Sequence, residues 1–168
     1  LRRVFIQQNP DGDWPQWFMF FPRDRGIRPD DSHGDIVYWP VLALAQYLLA
    51  SDDGAFLDVE LPFFHPDGDD NAEKTTVYGH VERALQVIER RHIAGTSLAA
   101  YGHGDWNDAL QPVGPVMRER LCCSWTVTLQ VQTLETLAKA LRHVGRSQLA
   151  LPLDALAQAT RADFQRLL

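Results

Sequence analysis

The chain has 168 residues, a formal net charge of −6 and 45% hydrophobic residues, a composition ordinary for one globular domain. Its acidity argues against nucleic acid or an anionic membrane as the main partner, and leaves any anionic substrate in need of a basic pocket that the sequence alone does not locate. No charged-then-apolar leader follows Leu1 and no run approaches the ~20 apolar residues that span a bilayer, so the expectation is a soluble, cytoplasmic protein whose start at Leu1 reads as an excerpt.

Residues 9–34, NPDGDWPQWFMFFPRDRGIRPDDSHG, cluster Pro, Gly and Asp around a short apolar run from Trp17 to Phe21. A strand or irregular loop packed on something larger fits best, with Trp14, Trp17, Phe18, Phe20 and Phe21 read as core rather than as a sugar platform. From Ile36 to Ala50 nearly every residue is apolar, which predicts an inner helix packed on all sides. Pro40 is tolerable in its first turn and Ser32 or Asp35 is available as a cap.

Residues 51–72 return to turns, where HPDGDDNA resembles a calcium loop. The match fails because the sixth position is Ala72 rather than Gly and the twelfth is Tyr78 rather than Glu. Val77, Val81, Ala84, Leu85 and Ile88 then repeat at helical spacing, predicting an amphipathic helix that ends before Gly95. Adjacent Cys122 and Cys123 are badly placed to bridge each other and lack zinc-site spacing; they are expected to be reduced, buried small hydrophobes.

Val127, Val131, Leu134, Ala138 and Leu141 trace a second amphipathic stripe to about Val144, stopped at Gly145, and a last helix is predicted from Leu153 to Leu168. No internal repeat and no pair of strands at hairpin spacing is visible. The expected class is therefore all-α: antiparallel helical hairpins joined by long aromatic loops, with 1–34 irregular and 35–168 helical. Loops longer than about 12 to 15 residues are uncommon in a compact helical domain and usually carry function, which directs attention to 8–34 and 94–116.

The second of these loops contains AAYGHGDWNDALQPVGP, residues 99–115. Sugars are held by aromatic faces and by carboxylates that hydrogen-bond hydroxyls, and cleaving a glycosidic bond needs a carboxylic acid near the leaving oxygen. Asp108 or Asp105 could be that acid if desolvated beside Trp106, each carboxylate favouring the other's protonated form. Gly102 and Gly104 would permit the tight turn that projects them. The same residues also fit a purely structural role, with Asp105 capping a short helix and Asp108 as the acidic third residue of a capping box; Pro112 limits such a helix to about one turn. His-Gly-Asp occurs twice, at 33–35 and 103–105, and could in principle converge on zinc or iron. Hydrogen-bonding loop histidines are the commoner use, and no metal is expected.

YGHGDWNDAL, preceded by HGDIVYWPVLALAQYL, FLDVELPFF and an arginine-rich helix and followed by CSWTVTLQVQTLETLAKAL, resembles the catalytic region of the cellobiose phosphorylase family, glycoside hydrolase family 94, over residues 8–145. The resemblance implies an (α/α)6 barrel, of which this chain is a part, since about twelve helices exceed what 168 residues hold. It implies that Asp108, the second aspartate of the DWND motif, is the general acid and that Trp106 contacts the sugar in the cleaved subsite. The implied reaction is inverting phosphorolysis of β-linked glucosides: Asp108 protonates the glycosidic oxygen while inorganic phosphate, a co-substrate rather than a bound cofactor, attacks the opposite face to give α-glucose 1-phosphate. Phosphate replaces the base-activated water of an inverting hydrolase, which makes Asp105 a positioning residue or the cap already described. Asp35, Trp39 and Tyr101 are candidates for the site wall.

The implied partners are a β-glucoside oligosaccharide, phosphate and the remainder of the same polypeptide, with a homodimer as the candidate assembly of the full enzyme. The family's arginine-containing sugar motif and its phosphate-binding His and Thr-Gly elements have no match here, so the isolated segment is expected to be inactive. The competing readings are an inverting glycoside hydrolase on the same barrel and a non-catalytic carbohydrate-binding segment.

Overall fold

The computed structural model describes residues 1–29, 32–68, 72–105 and 114–167. A single helical turn, α1 (Arg2–Phe5), opens the chain, followed by α2 (Tyr38–Ser51), α3 (Val77–Arg90), a second single turn α4 (Pro115–Arg118), and the long pair α5 (Ser124–His143) and α6 (Ser147–Leu167). The helical class expected from the sequence is the one observed. Three of the four long helices, α2, α3 and α5, stand where the apolar periodicities place them, and α6 starts earlier than expected.

α2 packs on α5, and α5 on α6. Val37, Tyr38, Val41, Leu44, Ala45 and Leu48 from the α2 segment meet Leu134, Leu137, Ala138 and Leu141 from α5, and Ala150, Leu153 and Ala157 from α6 complete the cluster. Full burial of one such Leu or Val stabilises by ~1.5–3 kcal/mol. One buried amide stitches the helices to the loop that leads into the motif. Tyr38 Oη donates to Gln130 Oε1 at 3.0 Å, and Gln130 Nε2 donates to the Ser97 carbonyl at 2.9 Å and to Thr160 Oγ1 at 2.8 Å.

Several expectations are corrected. α2 is not packed on all sides: Trp39, Ala43, Gln46 and Ala50, spaced 4, 3 and 4 apart, form an exposed stripe. Neither Ser32 nor Asp35 caps it; Val37 holds the cap position without a side-chain bond. Ser32 and Asp35 are committed elsewhere, to Asp13 and Trp39. The region after residue 35 also contains a two-stranded antiparallel sheet, β1 (Glu60–Pro62) with β2 (Lys74–Thr76), in the register Glu60↔Thr76, Leu61↔Thr75 and Pro62↔Lys74. Strands of three residues are too short to show alternation. β2 runs directly into α3, whose first turn is capped by Thr76 Oγ1 accepting from the Gly79 amide at 3.0 Å.

α6 begins at Ser147, ahead of the predicted Leu153, and carries Pro152 inside it. Pro152 lies on the exposed side, where the loss of one backbone bond is least costly to packing, and buried Ala150, Leu153 and Ala157 hold the helix through it. Of the aromatic cluster only Trp14 is core: its indole N–H donates to the Val4 carbonyl and its ring stands edge-on to Phe5. Trp17, Phe20 and Phe21 are 50%, 64% and 61% exposed. Bounded by Pro15 and Pro22, this run pairs its rings internally, Phe18 against Phe20 at 5.4 Å. Cys122 and Cys123 are free thiols but only half-buried.

Candidate active site

The segment before α2 and the motif loop are built as neighbours by backbone hydrogen bonds. The amides of Tyr101 and Gly102 donate to the carbonyls of Leu121 and Arg118 at 2.7 and 2.9 Å, which lays the loop against the stretch that leads into α5. Gly102 and Gly104 have φ of +59° and +125°, the region in which glycine carries no Cβ penalty. The Gly34 amide then donates to the Gly104 carbonyl at 2.7 Å. A Cβ on Gly34 would stand 3.3 Å from the Tyr101 carbonyl oxygen and 3.4 Å from that of Gly104. The two His-Gly-Asp triplets are thereby laid side by side. Among the described residues no group of three or more His, Cys, Asp or Glu side chains is arranged to hold an ion.

What the triplets bring together is two buried carboxylates. Asp35 is 3% and Asp105 1% exposed. Asp105 Oδ2 accepts the hydroxyl of Thr126, itself buried at the start of α5, at 3.2 Å. Burial, followed by the bond to Asp105, pushes the Cys123 thiol up, so that thiol too is a donor facing the same carboxylate. Asp35 Oδ2 accepts the Trp39 indole N–H at 3.2 Å, while its Oδ1 is buried with no hydrogen-bond partner among the described residues. Burial is the main reason that the Asp35 carboxyl sits above its ordinary 3.8; the Trp39 bond opposes this and the charge of Asp105 adds to it.

Of the predicted site residues, Asp35, Trp39 and Asp105 therefore form one linked group. Trp39 is 41% exposed although its indole N–H is held by Asp35. Tyr101, within the motif loop, is buried, 5% exposed. Asp108 and Trp106, together with the proposed capping turn after Asp105, lie outside the described residues.

Sequence reasoning missed the residues that hold this group. Asp13 is buried and takes three donors: the Trp14 amide, Ser32 Oγ at 2.8 Å, and the Arg91 guanidinium. Gln16 grips His33 twice, accepting its amide at 2.8 Å and contacting its Nδ1 through Nε2 at 3.3 Å. Asp13 and Gln16 thus fix the approach to Gly34 from a segment that the sequence marks only as turn-rich. Thr126 carries no signal beyond its place in a helix start.

The family described as the glycosyl hydrolase 94 superfamily, catalytic domain, matches residues 23–155. A 1,2-beta-oligoglucan phosphorylase of Listeria innocua is 38% identical over 165 residues, which is 97% of this chain and 14% of that protein. The chain thus spans about one seventh of the length of the curated relative it matches. Segments 32–39 and 99–105, which together make the buried carboxylate pair, both fall inside the matched region, and the chain belongs to the glycosyl hydrolase 94 superfamily as a part of its catalytic domain.

Proposed function

We propose that the polypeptide containing this chain is an inverting glycoside phosphorylase acting on β-linked glucosides, with a β-1,2-linked oligoglucan as the first substrate to test. The observation that carries the reading is the juxtaposition of Asp105, immediately ahead of Trp106-Asn107-Asp108, with Asp35 and the half-exposed Trp39. The phosphorylase relative supports the same reaction class. In this mechanism Asp108 gives its proton to the glycosidic oxygen while inorganic phosphate attacks the anomeric carbon from the opposite face. The C–O bond to the leaving sugar breaks as the C–O bond to phosphate forms, with inversion to α-glucose 1-phosphate.

Trp106 stacks on the sugar in the cleaved subsite. Asp105, anchored by Thr126, positions the acid's loop, and Asp35 offers its buried Oδ1 to a sugar hydroxyl.

The test is an assay of the full-length polypeptide on β-1,2-linked oligoglucans with and without inorganic phosphate. Sugar phosphate is expected only when phosphate is supplied, and Asp108→Asn is expected to lower the rate by about 100-fold or more. Equal cleavage in phosphate-free buffer would select an inverting hydrolase instead. Sugar binding without turnover would select a carbohydrate-binding segment.

A further inference from the structure

The turn from Gln8 to Asp13 is seated on α3 along its whole length. The side-chain amide of Gln8 donates to the carbonyls of Gly12 and His80 at 2.8 and 2.9 Å. Arg83 Nη1 donates to the Pro10 carbonyl at 2.8 Å, Arg90 Nη2 donates to that of Asp11 at 3.0 Å, and Arg91 pairs with Asp13. The carbonyl of Arg83 comes so close to Gly12 that a Cβ there would not fit.

His80 is the one histidine of this seam, and it is fully buried. Its ring lies between Phe5, edge-on at 5.8 Å, and Phe63 at 4.4 Å. Nδ1 meets Gln8 Oε1, and Nε2 meets the Leu61 carbonyl at 3.1 Å. Both hydrogens of the Gln8 amide are spent on carbonyls, which fixes its orientation and makes the atom that faces His80 an acceptor. Each ring nitrogen therefore faces an oxygen acceptor.

A neutral imidazole has one N–H and satisfies one of the two; the imidazolium would satisfy both. The second bond does not decide the matter, because an unpaired charge costs more to bury than one hydrogen bond returns. Among the described residues no carboxylate offsets that cost. Arg2 and Arg3 on α1, Asp11 and Asp13 in the turn, Glu60 on β1 and Glu82 on α3 leave the ring's titration unmoved, and Arg83, which does act on it, is itself a cation. Burial is the main reason that His80 sits below its ordinary 6.5; the Leu61 bond opposes this and the charge of Arg83 adds to it. The ring is thus neutral while the turn is seated, and it takes a proton more readily once the turn lifts and water reaches it. The stability that the neutral ring contributes is fully present above 6.5 and is lost as pH falls through the lowered folded value.

We infer that His80 is an acid-sensitive latch: protonating its ring loosens the 8–13 turn from α3, and that turn carries Asp13, the residue that holds Ser32 two positions ahead of Gly34. The latch is independent of the reaction at the motif loop.

The test is amide hydrogen exchange of the full-length polypeptide, read by mass spectrometry on peptides covering residues 5–16. It runs from about pH 7.5 down to about pH 5.5, either side of the ordinary histidine range, with the intrinsic pH dependence of exchange divided out. In the parent the protection of this segment is expected to fall about threefold or more on acidification, while that of α5 does not. His80→Gln keeps a donor and cannot take a proton, and its profile is expected to be flat. His80→Phe keeps a ring between Phe5 and Phe63 and takes its place if a melting curve shows that the Gln variant is not folded. Protection that stays level or rises with acid in the parent would overturn the latch, as would a fall that persists in a folded His80→Gln or His80→Phe protein.

Discussion

The amide of Gly34 donates to the carbonyl of Gly104 across 2.7 Å, and this one bond couples the entry to α2 with the loop that carries the DWND motif. The close approach leaves no room at Gly34, where a Cβ would press on two carbonyl oxygens at 3.3 and 3.4 Å. Gly34→Val is therefore expected to push the loops apart at a cost of ~1–3 kcal/mol and to lower kcat/KM of the full-length protein more than Gly34→Ala does. Steady-state kinetics beside thermal melts check this. Parent-like kinetics for Gly34→Val would mean that the bond does not set the site.

Thr126 gives its hydroxyl to a carboxylate that is 1% exposed. Thr126→Val keeps the shape and removes the donor, which is expected to cost ~1–3 kcal/mol of stability and to reduce phosphorolysis. Thr126→Ser is expected to restore most of both. Denaturant melts and rates on the pair of variants separate loss of the hydroxyl from loss of the methyl.

Asp35 predicts a pH dependence. Burial raises its carboxyl above 3.8, so the native state holds the proton to higher pH than the unfolded chain does. Its contribution to stability is fully present below 3.8 and is lost as pH rises through the folded value. As pH rises above 3.8 the parent is expected to lose a contribution that Asp35→Asn does not lose, while Asp35→Asn loses activity. Identical pH profiles of stability for the two proteins would contradict the burial argument.

Pro152 stands inside α6 without an amide to donate toward the carbonyl of Gln148. Proline in a helix interior costs ~3 kcal/mol. Pro152→Ala is expected to raise the melting temperature and leave kcat/KM unchanged, because the residue is exposed and is none of the candidate site residues. A fall in stability would show that the ring supports the turn at Gly145.

The four long helices are legible in the sequence because their apolar stripes are long enough to fix a period: Val77, Val81, Ala84 and Ile88 mark α3, and Val127, Val131, Leu134, Ala138 and Leu141 mark α5. The start of α6 is not, since Pro152 reads as a boundary until the packing of Ala150 and Leu153 is known. β1 and β2 are too short to read, and the exposure of Trp17, Phe20 and Phe21 depends on which way a proline-bounded loop turns. For the site, the residue types are legible in YGHGDWND, but the meeting of Asp35 with Asp105 rests on a bond between two glycines that composition cannot reveal.

The paired grips of Asp13 on Ser32 and of Gln16 on His33 close the chain between them like a drawn purse. Closing a loop already held at its neck costs little more when the loop lengthens, about 0.6 kcal/mol for each doubling. The excursion from Trp17 to Pro29 is thus where homologous chains can differ in length at small thermodynamic cost, and where a protease can cut once without unseating either end from the carboxylates it serves.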